Sequence, residues 1–330
     1  MMQEWIRSFP NHIDEALDVI SPLVLAKVKM GSVDRVVAAG MGGSSIGAHI
    51  AISICAPSLK LPVQFVKGYN LPNWAGESTL VILSSYSGNT EETLNILAQS
   101  LSKGCQIIGL GSGGMLAKAA LENQFDFVQI PGGLPPRAAL GYSLTAQLSI
   151  YSKLNLIDPK IIDELAHAAK FIRTEQDTIT VKAKSMLSII GDRIPVLYAA
   201  NNWEAVLTRW RQQINENGKS LCWSNVFPEL NHNELVGWEF PVPNMAVVLF
   251  RSEFDSPRIA ARIEISRDIL KAKCGALIEL EAKGDSRCAQ ALWLIHLGDW
   301  LSYFWAEKAE VDPISIEVID FLKAQLAKLD

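Results

Sequence analysis

Short apolar segments of strand length alternate with helical segments along most of the chain, and the connections between them are short. Strands joined in this way pair in parallel, because each helix returns the chain to the same edge of the sheet. We therefore predict an α/β fold of two doubly wound parallel sheets. The predicted strands are residues 35–39, 62–66, 80–84, 105–110 and 125–130 in the first half and 194–199, 245–250 and 276–280 in the second.

Helical patterns fill the intervals between these strands. A long helical segment over residues 160–188 separates the two runs, and 330 residues are enough for two domains of about 150 residues each. We predict one subdomain over residues 1–155 and a second over 156–330. The other predicted helices are 11–29, 45–55, 90–103, 115–123, 140–156, 203–217, 257–273, 285–310 and 315–329.

The composition argues against several classes of protein. A net charge of −5 is opposite in sign to the basic surface that binds nucleic acid. No apolar run is long enough to span a bilayer, and the first 20 residues carry charges at helical spacing instead of the apolar core of a secretory signal. We therefore expect a cytoplasmic protein that binds neither nucleic acid nor membranes.

The cysteines and histidines form neither a disulfide pattern nor a metal-binding pattern. The five cysteines are an odd number and include no Cys-x-x-Cys pair, so we expect free thiols in a reducing cytosol. No histidine belongs to an HExxH motif or to a Cys-His cluster, so we expect no metal. Structural roles are expected for His12, His49, His167 and His296.

The sequence GMGGSSIG at residues 40–47 follows the first predicted strand and opens a helix. It departs from the dinucleotide fingerprint G-x-G-x-x-G because Ser45 occupies the third position. The next strand is followed by Lys67, where that fingerprint expects an acid for the ribose. No GKS or GKT occurs, which excludes a Walker loop. A tight turn with a serine cap is one interpretation, and an anion site at a helix N-terminus is the other.

The second such turn, SSYSGNTEETL at residues 84–94, favours the anion site. Ser85, Ser87 and Thr90 crowd around a glycine before the next helix. A helix cap needs one hydroxyl, whereas several hydroxyls together with helix amides suit a phosphate monoester. Both turns follow strand carboxyl ends, where open α/β sheets bind ligands. We predict phosphate binding by Gly42, Gly43, Ser44, Ser85, Ser87 and Thr90.

The two turns resemble those of the sugar isomerase (SIS) domain, which binds phosphosugars. Four further motifs resemble the bifunctional phosphoglucose/phosphomannose isomerases of the phosphoglucose isomerase superfamily, and the match covers nearly the whole chain. These motifs are PGGLPPRAALGYSL (131–144), NENGKS (215–220), ELNHNELVGWE (229–239) and VDPISIEVIDFLK (311–323). The resemblance implies two SIS subdomains and isomerisation of hexose 6-phosphates through a cis-enediol. It also implies a homodimer without metal or organic cofactor.

Aldose–ketose isomerisation needs a base between C1 and C2, a group that opens the ring, and a cation for the enediolate. Glu216, at the end of a predicted helix, is the candidate base, with an exposed glutamate beside a C-cap as the alternative. Arg137 follows two prolines that fix its backbone, and the resemblance assigns it to the enediolate; a helix-start salt bridge is the alternative.

Ring opening is assigned by the same resemblance to His232 and Lys323. An imidazole titrates near neutral pH and suits proton transfer to a ring oxygen, and the family donates this histidine from the partner subunit. A histidine in a surface loop and a solvated lysine are the alternatives, and Lys328 is the weaker match to the family's lysine. The resemblance also links acceptance of either C2 configuration to a hydroxyl before the last helix, which here is Ser315.

Two other functions remain open at this point. A non-catalytic phosphosugar sensor needs the phosphate turns but not Glu216, Arg137 and His232 together. An isomerase of another phosphosugar, such as a pentose or an amino sugar, needs the same set of residues. The preferred prediction is a hexose 6-phosphate isomerase.

Overall fold

A computed structural model of the protein describes residues 1–328. Leu329, the last residue of the predicted final helix, and Asp330 lie outside the described residues. The chain forms two compact units, which we call the N-terminal and C-terminal units. The N-terminal unit comprises Trp5–Gln176 and Ala282–Leu294, and the C-terminal unit comprises Met1–Glu4, Asp177–Glu281 and the residues from Ile295 onward.

Five parallel strands form the sheet of the N-terminal unit, in the order β2-β1-β3-β4-β5. The chain starts at β1, moves out to β2 and then crosses to the other side, which is the doubly wound order of flavodoxin-like folds. The strands are β1 (Arg35–Gly40), β2 (Val63–Val66), β3 (Thr79–Ser84), β4 (Gln106–Gly111) and β5 (Asp126–Gln129).

Four parallel strands form the sheet of the C-terminal unit, in the order β7-β6-β8-β9. This order repeats the first four positions of the N-terminal sheet, so the prediction of two doubly wound parallel sheets is confirmed. The strands are β6 (Ile194–Ala200), β7 (Trp223–Phe227), β8 (Val242–Arg251) and β9 (Cys274–Glu281).

Helices connect the strands of both sheets. None of the helices in residues 1–328 is long and apolar enough to cross a bilayer. The helices are α1 (Met2–Arg7), α2 (Phe9–Ile20), α3 (Gly42–Cys55), α4 (Glu91–Ser102), α5 (Gly114–Asn123), α6 (Leu140–Lys153), α7 (Lys160–Ile190), α8 (Glu204–Glu216), α9 (Pro257–Lys271), α10 (Arg287–Lys308) and α11 (Glu317–Leu326).

Each unit has its own apolar core on its sheet. In the N-terminal unit, Val37 and Val81 of the central strands pack with Ile96 of α4. In the C-terminal unit, Val196 of β6 and Val247 of β8 belong to a second apolar cluster. Because helices cover these strands, the strands read as continuous apolar runs, and this is why the sequence reveals them so clearly.

A buried ion pair ties α8 to α10 in the C-terminal unit. Arg209 donates to both carboxylate oxygens of Asp299 over 3.0 and 2.9 Å, and the two side chains are only 2% and 5% exposed. Next along α8, Asn217 donates to Ser302 Oγ at 2.9 Å. A Cβ on Gly218 would lie 3.1 Å from the ring of Trp305. The end of α8 is therefore fixed closely against α10.

All five cysteines are free thiols, and burial raises the pKa of each. The pKa reaches about 12 at Cys55 and at Cys222, chiefly because the surroundings disfavour the thiolate. Cys55, Cys105 and Cys288 belong to the N-terminal unit, and Cys222 and Cys274 to the C-terminal unit. The prediction of unpaired thiols is confirmed.

Three elements differ from the sequence-based prediction. The separate helix α1 was not predicted. The predicted helix over residues 11–29 is wrong beyond residue 20, because α2 ends at Ile20, two residues before Pro22. The sequence did not indicate β7, which is an edge strand. Four of its five residues are only half-buried, and the polar Ser224 and Asn225 stand at its centre, so it lacks the apolar run that marks the other strands.

Replacing Asp299 with alanine is expected to lower the free energy of unfolding by about 3–5 kcal/mol, because it leaves the Arg209 guanidinium buried without its carboxylate. The midpoint of urea denaturation measures this change. The control is Glu122→Ala, which removes the exposed i,i+4 partner of Lys118 and should cost at most about 0.5 kcal/mol. Equal effects of the two substitutions would contradict the structural role of the buried pair.

Candidate active site

Two turns rich in glycine and hydroxyl groups lie side by side at the carboxyl edge of the N-terminal sheet. β1 ends at Gly40 and β3 ends at Ser84, and these residues are direct partners in the parallel register. A Cβ on Gly40 would lie 2.6 Å from the carbonyl oxygen of Ser84, so this approach requires glycine. The turn after β1 (residues 41–45) and the turn after β3 (residues 85–90) therefore form one edge, where open α/β sheets bind ligands.

Hydrogen bonds link the two turns. The N–H of Tyr86 donates to Ser44 Oγ at 2.8 Å, which joins the second turn to the first. Ser85 Oγ and Thr90 Oγ1 are 2.8 Å apart, and Ser87 Oγ accepts from the N–H of Asn89 at 3.2 Å. An accepting hydroxyl keeps its own proton to donate. The network thus fixes the hydroxyl groups and leaves protons for an anion.

The hydroxyl groups do not serve as helix caps. The N-cap residue of α3 is Met41, and Gly42 begins the helix with a φ of +53°, a left-handed conformation that favours glycine. Thr90 is the N-cap residue of α4, but its side chain makes no capping bond. The capping interpretation is therefore wrong. The first N–H groups of α4 have no acceptor within the helix, and a helix N-terminus favours negative charge.

Arg137 lies beside the first turn. Its short 3₁₀ turn, Pro136–Ala138, packs on Gly43, where a Cβ would lie 2.8 Å from the backbone nitrogen of Arg137. α6 follows, and its Ser143 Oγ would be 2.7 Å from a Cβ on Gly47 of α3. Arg137 is 3% exposed. Two glycines of the first turn and helix thus let the backbone of a buried arginine pack against the turn that is predicted to bind phosphate.

A lysine and a histidine flank the first turn on the β2 side. The ammonium of Lys67 lies 5.0 Å from the ring centroid of Phe65, and the His49 ring stacks on the same phenylalanine. Burial, and then the charge of Lys67, lower the pKa of His49 to about 4. His49 is therefore neutral at pH 7 and forms part of the packing.

Glu216 lies in the C-terminal unit, at the last position of α8, and its side chain is half-buried. It lines a cavity of about 680 Å³, which is large enough for a sugar phosphate. Ser315 lines the same cavity. The structure therefore brings together the predicted base and the predicted C2 residue.

Lys219 connects the two sides of this cavity. Its ammonium donates to the backbone carbonyl oxygen of Glu216 and, at 2.8 Å, to the carbonyl oxygen of Ser315. The backbone of Lys219 is left-handed, with a φ of +51°. Sequence analysis did not predict this bridge, because both acceptors are backbone atoms and one lies 96 positions away.

His232 is exposed at the end of a short 3₁₀ helix, Glu229–His232, and its neighbours in the NHNE motif are anchored. Asn231 donates to Ser266 Oγ at 2.9 Å, and Asn233 donates to Glu229 at 2.7 Å. Glu234 has a network of its own. The motif thus holds its flanking residues and presents the imidazole to solvent.

Glu234 is the principal anchor of this loop. Its carboxylate accepts hydrogen bonds from Tyr198, from Trp223 Nε1 at 3.2 Å and from Asn225 Nδ2 at 2.6 Å. Tyr198 is fully buried, and burial and the neighbouring carboxylate raise its pKa. These donors come from β6 and β7, so Glu234 ties the loop to the sheet. Sequence analysis missed this role, although the glutamate belongs to the same motif.

Lys323 lies on α11, a helix without a buried residue. Its apolar side chains Val318, Phe321 and Leu322 are between 56% and 83% exposed. Neither Lys323 nor His232 is among the described residues that line the cavity beside Glu216. Among the described residues, this cavity therefore contains the predicted base but neither of the predicted ring-opening groups.

The remaining histidines have structural surroundings. His12 stacks on Tyr142, and burial lowers its pKa. His296 is buried and accepts from the indole N–H of Trp300 at 3.1 Å, while His167 lies 3.3 Å from Asp285. Residues 1–328 contain no group of three histidine, cysteine, aspartate or glutamate side chains that could hold a metal ion.

Residues 179–326 match the family model for the C-terminal SIS domain of bacterial phosphoglucose isomerase. The chain is 36% identical to a bifunctional phosphoglucose/phosphomannose isomerase of Caldicellulosiruptor bescii, over 99% of both proteins. It is 34% identical to the protein of that name from Aquifex aeolicus, over 89% of this chain and 90% of the relative. For the protein of that name from Thermoplasma volcanium, the identity is 35%, over 91% of this chain and 93% of the relative.

Solved structures share the fold at low sequence identity. Glucosamine-6-phosphate deaminase from Thermotoga maritima has a TM-score of 0.71 at 13% identity, covering 94% of this chain and 96% of the other. Tagatose-6-phosphate ketose/aldose isomerase from Escherichia coli has a TM-score of 0.68 at 14% identity, covering 95% and 94%. This likeness extends over both units.

Replacing Gly43 with alanine is expected to weaken the binding of inorganic phosphate about tenfold, or about 1.4 kcal/mol. The new Cβ would lie 2.8 Å from the backbone of residues 136 and 137, so the turn that carries Arg137 must move. Isothermal titration calorimetry measures the affinity. Gly31→Ala is the control, because a Cβ there meets nothing within 4 Å. Unchanged affinity in Gly43→Ala would show that this packing does not support anion binding.

Proposed function

The chain belongs to the bifunctional phosphoglucose/phosphomannose isomerase family, and we propose that it interconverts glucose 6-phosphate and mannose 6-phosphate with fructose 6-phosphate. The observation that carries this proposal is 36% identity to a relative of that name over 99% of both chains. The chain is therefore an enzyme of the isomerase class. The sensor alternative is not favoured, because six relatives that cover at least 89% of this chain are named as isomerases.

Phosphate binding is the first step of the proposed mechanism. The substrate phosphate binds at the paired turns of the N-terminal subdomain, through amides near Gly42 and Gly43 and through the hydroxyls of Ser44, Ser85, Ser87 and Thr90. The hydrogen bonds between the turns support this assignment, because they fix the donors before the ligand arrives. Preorganised donors reduce the free-energy cost of ordering the site.

Glu216 transfers the proton in the second step. From an aldose, its carboxylate takes the proton at C2 while the C1 carbonyl becomes an enediolate oxygen. The hydroxyl proton of the C2 oxygen passes to the C1 oxygen, Glu216 returns its proton to C1, and the C2 oxygen becomes the ketose carbonyl. Arg137 stabilises the negative charge on the C1 and C2 oxygens. The half-buried position of Glu216 beside a sugar-sized cavity supports its assignment as the base.

Ring opening precedes this chemistry. His232 and Lys323 move protons to and from the ring oxygen and the C1 hydroxyl. We propose that the enzyme is a homodimer and that His232 acts in the partner subunit. The exposure of the His232 imidazole supports this role. Its neighbours Asn231 and Asn233 are hydrogen-bonded within their own chain, so the imidazole is held at a surface that a partner subunit can contact. The C-terminal subdomain thus supplies both the base and the ring-opening groups.

Ser315 contacts the substrate near C2 and tolerates either configuration at that carbon. Its place in the cavity that Glu216 lines supports this assignment. The reaction moves protons only, so it needs neither a metal nor an organic cofactor. We propose that the enzyme works in the cytoplasm, in glycolysis and gluconeogenesis, which share these hexose phosphates.

Replacing Glu216 with glutamine is expected to lower kcat by roughly 10²–10⁴-fold, because the amide cannot carry the proton between C2 and C1. Fructose 6-phosphate is incubated in D₂O, and NMR follows deuterium entry at C1 and at C2 of the aldose products. The wild-type enzyme should exchange, and the variant should not.

The matched control for this experiment is Glu204→Gln, at the exposed first position of the same helix, which should leave exchange unchanged. Absence of exchange in the wild-type protein would favour a phosphosugar sensor. Exchange by the wild-type protein that survives in Glu216→Gln would remove Glu216 from the mechanism.

Mixing two inactive variants tests the proposed exchange of His232 between subunits. A dimer of one Glu216→Gln chain and one His232→Asn chain should regain about half of the wild-type activity, because one of its two sites has both groups intact. Differently tagged chains are coexpressed, and the mixed dimer is purified through both tags before assay. Mixed dimers as inactive as either parent would place His232 in the same chain as its Glu216.

A further inference from the structure

Lys219 adopts a backbone conformation that glycine would adopt at lower cost. Its φ of +51° is left-handed, and a residue with a Cβ is less stable there than glycine. Left-handed residues other than glycine, asparagine and aspartate are uncommon, and such strain is concentrated at functional sites. The side chain at this position therefore calls for an explanation beyond the turn itself.

The ammonium of Lys219 bridges two separate backbone segments. It donates to the carbonyl oxygen of Glu216, three positions earlier at the end of α8. It also donates, at 2.8 Å, to the carbonyl oxygen of Ser315. A lysine whose only role was to neutralise the negative end of α8 would need only the bond to the carbonyl oxygen of Glu216. The second bond connects the helix end to the segment that precedes α11.

The two segments form opposite sides of one cavity. Asn215 and Glu216 line it from α8, and the segment from Asp312 to Glu317 lines it from the other side. α8 is fixed to α10 through Arg209 and Asn217, so its end provides a rigid reference. The segment before α11 is half-buried at Ser315 and precedes a helix without buried residues, so the helix that follows contributes little to fixing its position. The bond from Lys219 thus sets the position of Ser315 relative to Glu216.

We propose that Lys219 is a positioning residue that sets the choice between substrates that differ at C2. This inference rests on the proposed function, in which Glu216 works at C1 and C2 and Ser315 lies near C2. The two aldoses present their C2 hydrogens to the base from different directions. The separation of the two segments therefore decides how well each aldose fits. A shift of about 1 Å can change a rate by 10²-fold.

Lys219→Gly provides the main test, because glycine suits the left-handed backbone and lacks only the side chain. The ratio of kcat/KM for glucose 6-phosphate to kcat/KM for mannose 6-phosphate should change at least about tenfold. Thermal denaturation should still show a single folded protein. Lys219→Arg, which keeps a cation with several donors, should restore part of the wild-type ratio.

Glu310→Gly is the matched control. Glu310 has a φ of +54°, is exposed and lies in the same unit after α10, so it undergoes the same backbone change. Its substrate ratio should equal that of the wild-type enzyme. If Lys219→Gly does not fold, Lys219→Met replaces it, since methionine keeps most of the aliphatic chain and lacks the ammonium.

The outcomes separate this inference from the proposed function. An unchanged substrate ratio in folded Lys219→Gly or Lys219→Met, with Glu216→Gln inactive, overturns the role of Lys219 and leaves the proposed function standing. Absence of isomerase activity and of deuterium exchange in the wild-type protein overturns the proposed function itself, whereas full activity of Glu216→Gln removes only Glu216 from the mechanism. An equal loss of kcat/KM for both substrates, with no change in their ratio, would show a general structural role and would also overturn the inference.

Discussion

The parallel pairing of β1 with β3 is the constraint on which the candidate site depends. Gly40 and Ser84 end these strands as direct partners, and the missing Cβ of Gly40 lets the backbones approach. This pairing places two turns at one edge, and their hydroxyls then bond to each other instead of capping separate helices. Gly43 extends the arrangement to Arg137 by the same means, an approach between backbones. The candidate anion site is thus a product of sheet register more than of any single side chain.

The sequence was sufficient for the features that depend on local pattern. Eight of the nine strands were predicted, since covered parallel strands leave continuous apolar runs, and the exception, β7, is a half-buried edge strand. The predicted helix over residues 11–29 continued too far, although Pro22 gave a signal for its end. The motif residues were recognised by resemblance. Glu216 and Lys323 lie on the helices that their patterns indicated, whereas Gly42, Gly43 and Ser44, predicted to precede a helix over 45–55, form the start of α3.

The remaining features depend on contacts between distant parts of the chain. The bond from Lys219 to Ser315 spans 96 positions and ends on a carbonyl oxygen, which every residue carries. The anchoring of Glu234 by Tyr198 and Asn225 likewise joins a loop to two strands. No periodic pattern in the sequence indicates such contacts, because they form only when distant parts of the chain pack together. They show that the residues around the predicted catalytic groups are as specifically arranged as the groups themselves.

The distribution of the thiols has a consequence for following the protein in solution. A thiol with a pKa of about 12 is almost wholly protonated at pH 7, and buried cysteines such as Cys55 and Cys222 are also shielded from reagents. Alkylation at these positions requires local opening of the structure, so the alkylation rate reports how often that opening occurs. Each unit carries at least one such thiol. Mass spectrometry of the labelled peptides therefore measures the opening of each unit separately in one unmodified chain.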